Sequence, residues 1–441
     1  MNANQNGEFV REGKQRAILV GLNVEEKDHF MPIEDSMKEL QDLAETAGAT
    51  VVHSIIQNRQ RVDPAYYIGK GKAKEIKILC EELDAELVIF NDELSGAQLR
   101  NLEELIEAAV IDRTTLILDI FAQRAQSKEG KLQVELAQLQ YRLPRLIGLG
   151  KSLSRTGGGI GTRGPGEQKL DIDRRHVLNR IRDIQNQIKD IKKNRETQRT
   201  KRKKSEIPII ALVGYTNSGK STLMNQIMEM CGYPQEEKKV YAEDMLFATL
   251  DTAHRKIVFP NKEEAILIDT VGFVSKLPHT LIEAFKATLE EVQYADLLLH
   301  VVDATNQNHE MQIKVTQQVL KELNAENKPT ILVFNKIDCL NASDGIGLPR
   351  GEMIAYVSAL KKMGIEHLIS KMEKILFQDM RRALLCIPYQ RGDIDSYLCG
   401  KTDVKRKEYQ ADGVLIETKL RTADYQKYRD YIVERPENPF S

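Results

Sequence analysis

The chain has 441 residues, 41% of them hydrophobic and 29% charged, with a formal net charge of −1. That length predicts about two to four domains, and the near-zero charge gives no whole-chain sign of a nucleic-acid partner, so only local charge can carry one. Cys80, Cys231, Cys339, Cys386 and Cys399 form no close metal-type pair, the opening MNANQNGEFVREGKQ lacks the apolar core of a signal peptide, and no run approaches about 18 apolar residues, so a cytoplasmic protein with free thiols and no membrane span is expected.

The first elements alternate. Short β-rich runs occupy residues 16–24, 50–57, 87–92 and 115–120, and helical patterns occupy 33–47, 73–83 and 97–109. Strand–helix alternation predicts a small α/β domain with a parallel sheet over residues 1–121. Within it, YYIGKGKAKE (66–75) sets Gly69 and Gly71 before a helix. This is read as a strand–helix turn, with a phosphate cradle as the weaker alternative.

Beyond it the periodicity changes. Leu132, Leu136, Leu139, Leu143 and Leu146 repeat at spacings of 4 and 3, and Val177, Ile181, Ile184, Ile188 and Ile191 do the same. That is the seam of two helices packed as a coiled coil. They are joined by a glycine-rich segment containing GGGIGTRGPGE (157–167), which predicts a long antiparallel hairpin over residues 122–205. The tip carries Arg155 and Arg163 and is flanked by Lys151, Lys169, Arg174 and Arg175. Glycine permits close approach, and arginine suits phosphate pairing and base stacking, so Arg155 and Arg163 are the candidate RNA contacts; a plain linker is the alternative. The second helix runs into KKNRETQRTKRKK (192–204), which reads equally as a solvated helix end.

Residues 206–380 return to strand–helix alternation, and 381–441 read as a small α/β appendage. Within the former, GYTNSGKS (Gly214, Tyr215, Thr216, Asn217, Ser218, Gly219, Lys220, Ser221), then Thr222, lies between an apolar strand and a helix. That is the setting of a phosphate-binding loop: backbone N–H groups curl around the phosphates and the helix N-terminus favours anions. Lys220 is expected on the β- and γ-phosphates and Ser221 on Mg²⁺. AILIDTVGF (265–273) ends a strand in Asp269, which can hold Mg²⁺ through water, and brings the Gly272 N–H to the γ-phosphate. In LFATLDTAHRK, between these motifs, Thr249 is the candidate that ligates Mg²⁺ only when the γ-phosphate is present. Lys220, Thr249 and Gly272 are thus the residues expected to carry catalysis.

ILVFNKID (331–338) ends a further strand. Guanine offers N1–H and an exocyclic amine that one carboxylate accepts together, while adenine would leave that carboxylate unpaired. Asp338 is therefore the expected selector, with Lys336 along the base and Asn335 tying this loop to the phosphate loop. Ser358 and Ala359 follow the strand MIAYV, and the Ala359 N–H is expected to donate to guanine O6. Asn217 is either a K⁺ ligand beside the phosphates or a capping residue of the loop.

These motifs resemble the translation-factor class of GTPases. The tract GTRGPGE, the flanking hairpin, LFATLD, DTVGF and YYIGKGKAKE resemble the HflX family across nearly the whole chain. The resemblance implies GTP hydrolysis coupled to the large ribosomal subunit and its rRNA, in dissociating stalled or stressed ribosomes, by a protein expected to be monomeric when free. A ribosome-assembly GTPase and a nucleotide-gated protein-interaction switch are the alternatives. An adenine-nucleotide site in the N-terminal part is left open by the same resemblance. The chain departs from the family in carrying Thr252 where a proline is usual. Phe273 stands where many related GTPases carry the water-orienting glutamine, a replacement the family shares, so slow intrinsic hydrolysis stimulated by a partner is expected.

Overall fold

The computed structural model describes residues 2–3, 9–10, 15–24, 31–147, 165–203, 207–232, 247, 253–276, 291–340, 348–378, 381–402 and 404–433. Thr249, Thr252, Arg155, Arg163 and Lys151 lie outside them, as does nearly all of the glycine-rich tract.

The first unit is a parallel sheet of β1 (Arg16–Val24), β2 (Thr50–Arg59), β3 (Leu87–Phe90) and β4 (Ala109–Asp112), in the order β2-β1-β3-β4. Helices α1 (Ile33–Thr46), α2 (Lys70–Glu82), α3 (Gly96–Ile106) and α4 (Arg113–Arg124) accompany it. Residues 115–120, expected as a strand, lie in α4, and the strand is instead Ala109–Asp112, at the end of an expected helix. The run TLILDI is apolar almost throughout, so its periodicity does not separate strand from buried helix. Asp112 decides the matter by capping: its carboxylate accepts from the Thr115 N–H at 3.0 Å.

Helices α5 (Lys128–Ile147) and α6 (Pro165–Lys203) form the hairpin. Its seam buries Leu132, Leu136, Ile181, Ile184 and Ile188, with Leu139, Leu143, Val177 and Ile191 packed beside them. Arg180 pairs with Glu135 through two bonds, at 2.7 and 2.8 Å. This is the interdigitation that the alternating 4 and 3 spacing dictates.

The third unit is built on a sheet of β5 (Ile209–Gly214), β6 (Ala253–Val258), β7 (Glu264–Asp269), β8 (Leu297–Asp303), β9 (Thr330–Asn335) and β10 (Ile354–Tyr356), in the order β10-β9-β8-β5-β7-β6. Only β6 pairs antiparallel. Helices α7 (Lys220–Cys231) and α9 (Ile365–Leu376) pack on one face through Leu223, Met224, Ile227, Leu368 and Met372, and α8 (His309–Glu322) packs against the sheet as well. The near-continuous apolar strands are what a parallel sheet covered on both sides requires. A three-stranded antiparallel sheet follows, β11 (Arg381–Ile387), β12 (Arg406–Gln410) and β13 (Gly413–Leu420), with α10 (Gly392–Lys401) and α11 (Thr422–Lys427). Among the described residues no helix is long and apolar enough to cross a membrane.

Candidate functional site

Register sets the site. Gly214 lies opposite Val301, Leu212 opposite Asp269, and Asp303 opposite Asn335, so the motif residues gather at the carboxyl ends of parallel strands. Open α/β sheets bind ligands along this edge.

The loop from Gly214 to Ser221 turns from β5 into α7. Gly219, at φ 87°, caps that helix, and a Cβ there would fall 2.3 Å from Asn335 Nδ2, so only glycine fits. Lys220 is buried and its Nζ donates to the carbonyls of Gly214, at 3.2 Å, and Tyr215, at 2.7 Å. Burial lowers its pKa to about 8, against an opposing pull from Asp269. Ser221 Oγ donates to Asp269 Oδ2 at 2.5 Å. A hydroxyl and a carboxylate side by side at a helix start are hard oxygen donors that suit Mg²⁺ completed by phosphate and water. Among the described residues no group of three or more His, Cys, Asp or Glu could hold a metal by itself. The hydroxyls of Thr216 and Ser218 are buried with no hydrogen-bond partner, and an oxyanion in the loop is the kind of group that could meet them. Asn217 is exposed at φ 58°, a left-handed conformation that asparagine tolerates, so a backbone reason for this residue exists alongside the K⁺ reading.

Asn335 joins the two halves of the site. It is buried, its Nδ2 donates to the Ser218 carbonyl at 2.9 Å, and its Oδ1 accepts from the Ala359 N–H at 2.9 Å. The Ala359 N–H, expected on guanine O6, here donates to Asn335. Asp338 is half-buried in the 3-10 turn Ile337–Cys339. A hydrogen bond from Ser358 leads the effects holding its carboxyl below the ordinary carboxylate range. Lys336, at φ 64°, pairs with Asp303 at 2.8 Å. Ser358, fully buried, also accepts from the Lys361 N–H at 3.0 Å.

The DTVGF segment lies on the phosphate loop. Phe273 N–H donates to the Gly214 carbonyl at 3.1 Å, and the Thr216 N–H donates to the Phe273 carbonyl at 2.8 Å. A methyl on Gly272 would stand 2.7 Å from Thr216 Cα and 2.9 Å from Lys220 Nζ. The Phe273 ring is in the core with Val271, Val274 and Phe247.

Two features had no sequence signal strong enough to find them. The Tyr215 side chain points away from the loop and donates to Glu39, a residue of α1. His300, on β8, is buried near Lys220, and burial first, then that ammonium, lowers its pKa to about 4. It stays neutral at physiological pH, as a core residue should.

The family described as GTP-binding GTPase N-terminal matches residues 34–122, GTP-binding GTPase Middle Region matches 124–202, and 50S ribosome-binding GTPase matches 209–336. A GTPase HflX of Caldanaerobacter subterraneus subsp. tengcongensis is 47% identical over 427 residues, covering 97% of this chain and 96% of its own. One from Lacrimispora saccharolytica is 44% identical, covering 92% of this chain and 94% of its own. The GTPase HflX of Escherichia coli is 41% identical over 419 residues, covering 94% and 95%.

Proposed function

The chain belongs to the HflX family of GTPases and hydrolyses GTP, and from that premise we propose that it acts on the large ribosomal subunit, coupling the nucleotide cycle to ribosome dissociation or rescue under stress. The observation that carries the nucleotide part is Asn335, whose amide braces the phosphate loop and the Ser358–Ala359 turn, beside Asp338, which Ser358 holds ionised. The ribosomal part is supported by the match of residues 209–336 to a family described as ribosome-binding. It also draws on the basic glycine tract with Arg155 and Arg163.

In this reading Asp338 selects guanine and Lys336 lies along the base. Gly214 to Thr222 cradle the phosphates. Ser221, Asp269 through water, and Thr249 hold Mg²⁺, which would neutralise charge on the phosphates when bound. Lys220 and the Gly272 N–H grip the third phosphate. A K⁺ ion beside Asn217 would add to that neutralisation, and equal turnover in sodium and potassium salts would discard it. Phe273 offers no polar atom to orient water and is buried, which supports slow intrinsic hydrolysis that a ribosomal partner accelerates. The four-part division at residues 121, 205 and 380, a cytoplasmic location and a monomeric free state belong to the same proposal.

Sedimentation of ribosomes with this protein and a non-hydrolysable GTP analogue tests it. A shift from whole ribosomes to subunits, lost when Arg155 and Arg163 are both replaced by alanine while nucleotide affinity is kept, is the expected result. Binding only to assembly precursors would favour an assembly GTPase. No ribosome binding in any nucleotide state would leave the protein-switch reading.

A further inference from the structure

Glu39 on α1, Arg113 at the start of α4, Tyr215 in the phosphate loop and Ser275 just beyond DTVGF meet between the first and third units, and all are buried. Glu39 is the hub. Its carboxylate pairs with Arg113 at 2.6 Å and accepts from the Tyr215 hydroxyl at 2.5 Å, the Ser275 N–H at 3.3 Å and the Ser275 hydroxyl. Arg113 also donates to Ser275 Oγ at 3.0 Å and to Asn91 Oδ1 at 2.9 Å. A buried carboxylate persists only with a partner charge and satisfied oxygens; this one takes its charge partner, Arg113, from its own unit and its remaining hydrogen bonds from Tyr215 and Ser275 of the nucleotide-binding unit. A second link lies one residue on, where Lys276 pairs with Asp92 at 2.6 Å.

These contacts act on the residues that must respond to a third phosphate. Such a group has to fit between Lys220 Nζ and the Gly272 N–H, yet Gly272 rests against Thr216 and that same ammonium, with Phe273 bonded on both sides to the loop. With Gly272 packed this closely on the loop, a third phosphate would have to lift Gly272 and Phe273 to enter that space. Ser275 follows them by two residues and is fastened to Glu39.

We infer that Glu39 is a positioning residue for the GTPase cycle: through Tyr215 and Ser275 it holds the DTVGF segment down on the phosphate loop, so that the site prefers GDP until the third phosphate pulls the segment free. A ligand shifts a conformational balance only by its differential affinity for the two states, and the coupling is reciprocal. GTP therefore weakens the grip of the first unit on the nucleotide unit as much as that grip weakens GTP. The inference rests on the nucleotide reading of the site.

Titration of full-length wild type, Glu39→Gln and Ser275→Ala with fluorescent GDP and a fluorescent non-hydrolysable GTP analogue, in Mg²⁺, tests it. Both variants should raise the ratio of the GDP Kd to the analogue Kd by roughly tenfold, the value of one charge-assisted hydrogen bond. A merely structural role would weaken both nucleotides alike and leave the ratio unmoved, and an unmoved or lowered ratio overturns the inference. Should Glu39→Gln fail to fold because Arg113 is left buried and unpaired, Ser275→Ala, which removes one hydroxyl, still decides. Wild type that binds neither nucleotide would sink the site itself; wild type that binds both, with variants unchanged in ratio, would sink only the role of Glu39.

Discussion

Replacing Asn335 by alanine should break the nucleotide pocket at its brace. The side chain makes two buried bonds, to the Ser218 carbonyl and from the Ala359 N–H, each at 2.9 Å. Alanine removes both and leaves a carbonyl and an N–H without partners. Each lost bond is worth about 1 kcal/mol net, and each stranded buried group costs about 1–3 kcal/mol unless water reaches it. Partial relaxation reduces that sum, and about 3 kcal/mol is expected in binding, because the nucleotide must then order both loops itself. That corresponds to roughly 150-fold in Kd for GDP. Calorimetric titration of GDP into wild type and Asn335→Ala, at fixed salt and Mg²⁺, reads this directly, with a urea unfolding curve to establish that the variant is folded. A folded variant that loses less than about threefold would refute the reasoning that this one amide holds the two loops together.

Two further outcomes follow from the same geometry. Gly272→Ala places a methyl against the Thr216 backbone and Lys220 Nζ in the arrangement assigned to the diphosphate state, so GDP affinity should fall at least roughly tenfold in calorimetric titration; a folded variant with unchanged GDP affinity would mean that Gly272 does not rest on the loop when GDP is bound. Burial lowers the pKa of Lys220 from 10.5 to about 8, so the folded protein releases this proton before the unfolded chain does. Stability from this group is therefore reduced below about 8 and recovers as pH rises from there towards 10.5. A phosphate beside the ammonium raises the pKa again. Nucleotide binding should then take up a proton in that window and weaken as pH rises through it. Titrations at about pH 9 in two buffers of different ionisation enthalpy would reveal the uptake, and identical apparent enthalpies would remove the coupling.

The parts of the fold that were legible in the sequence are those where one local rule dominates. The alternating 4 and 3 spacing of leucines and isoleucines has one solution, a helix–helix seam, and Leu132, Leu136, Leu139 and Leu143 form it with Val177, Ile181, Ile184, Ile188 and Ile191, the Leu146 side chain lying outside the described part. GYTNSGKS lies between an apolar strand and a helix pattern, and β5 and α7 stand there. Residues 115–120 were illegible for the opposite reason: an apolar run carries no face, and the Asp112 cap that fixes the helix is a single side chain. In the C-terminal part, GDIDSYLCGK and RKEYQ are largely polar: α10 is fixed by burying Ile394 and Leu398 in the core beside β11 and β13, and β12, mostly exposed, by its antiparallel pairing with β13. The contact between Tyr215 and Glu39 spans 176 residues, and Glu39 reads locally as one more acid on an amphipathic helix. No spacing rule connects them; only the docked pair of sheets does. The same holds for Ala359, whose backbone donor faces Asn335 through a bond that motif order does not reveal.

In the proposed function the pocket chooses its purine through the Asp338 carboxylate. Calorimetric titration of the purified full-length protein with GTP and with ATP, in Mg²⁺ at matched salt, tests that choice most directly. GTP should bind at least roughly a hundredfold more tightly, because adenine lacks the paired donors and would leave a carboxylate facing the ring unmet. Equal affinity for the two nucleotides, or heat from neither, would contradict it.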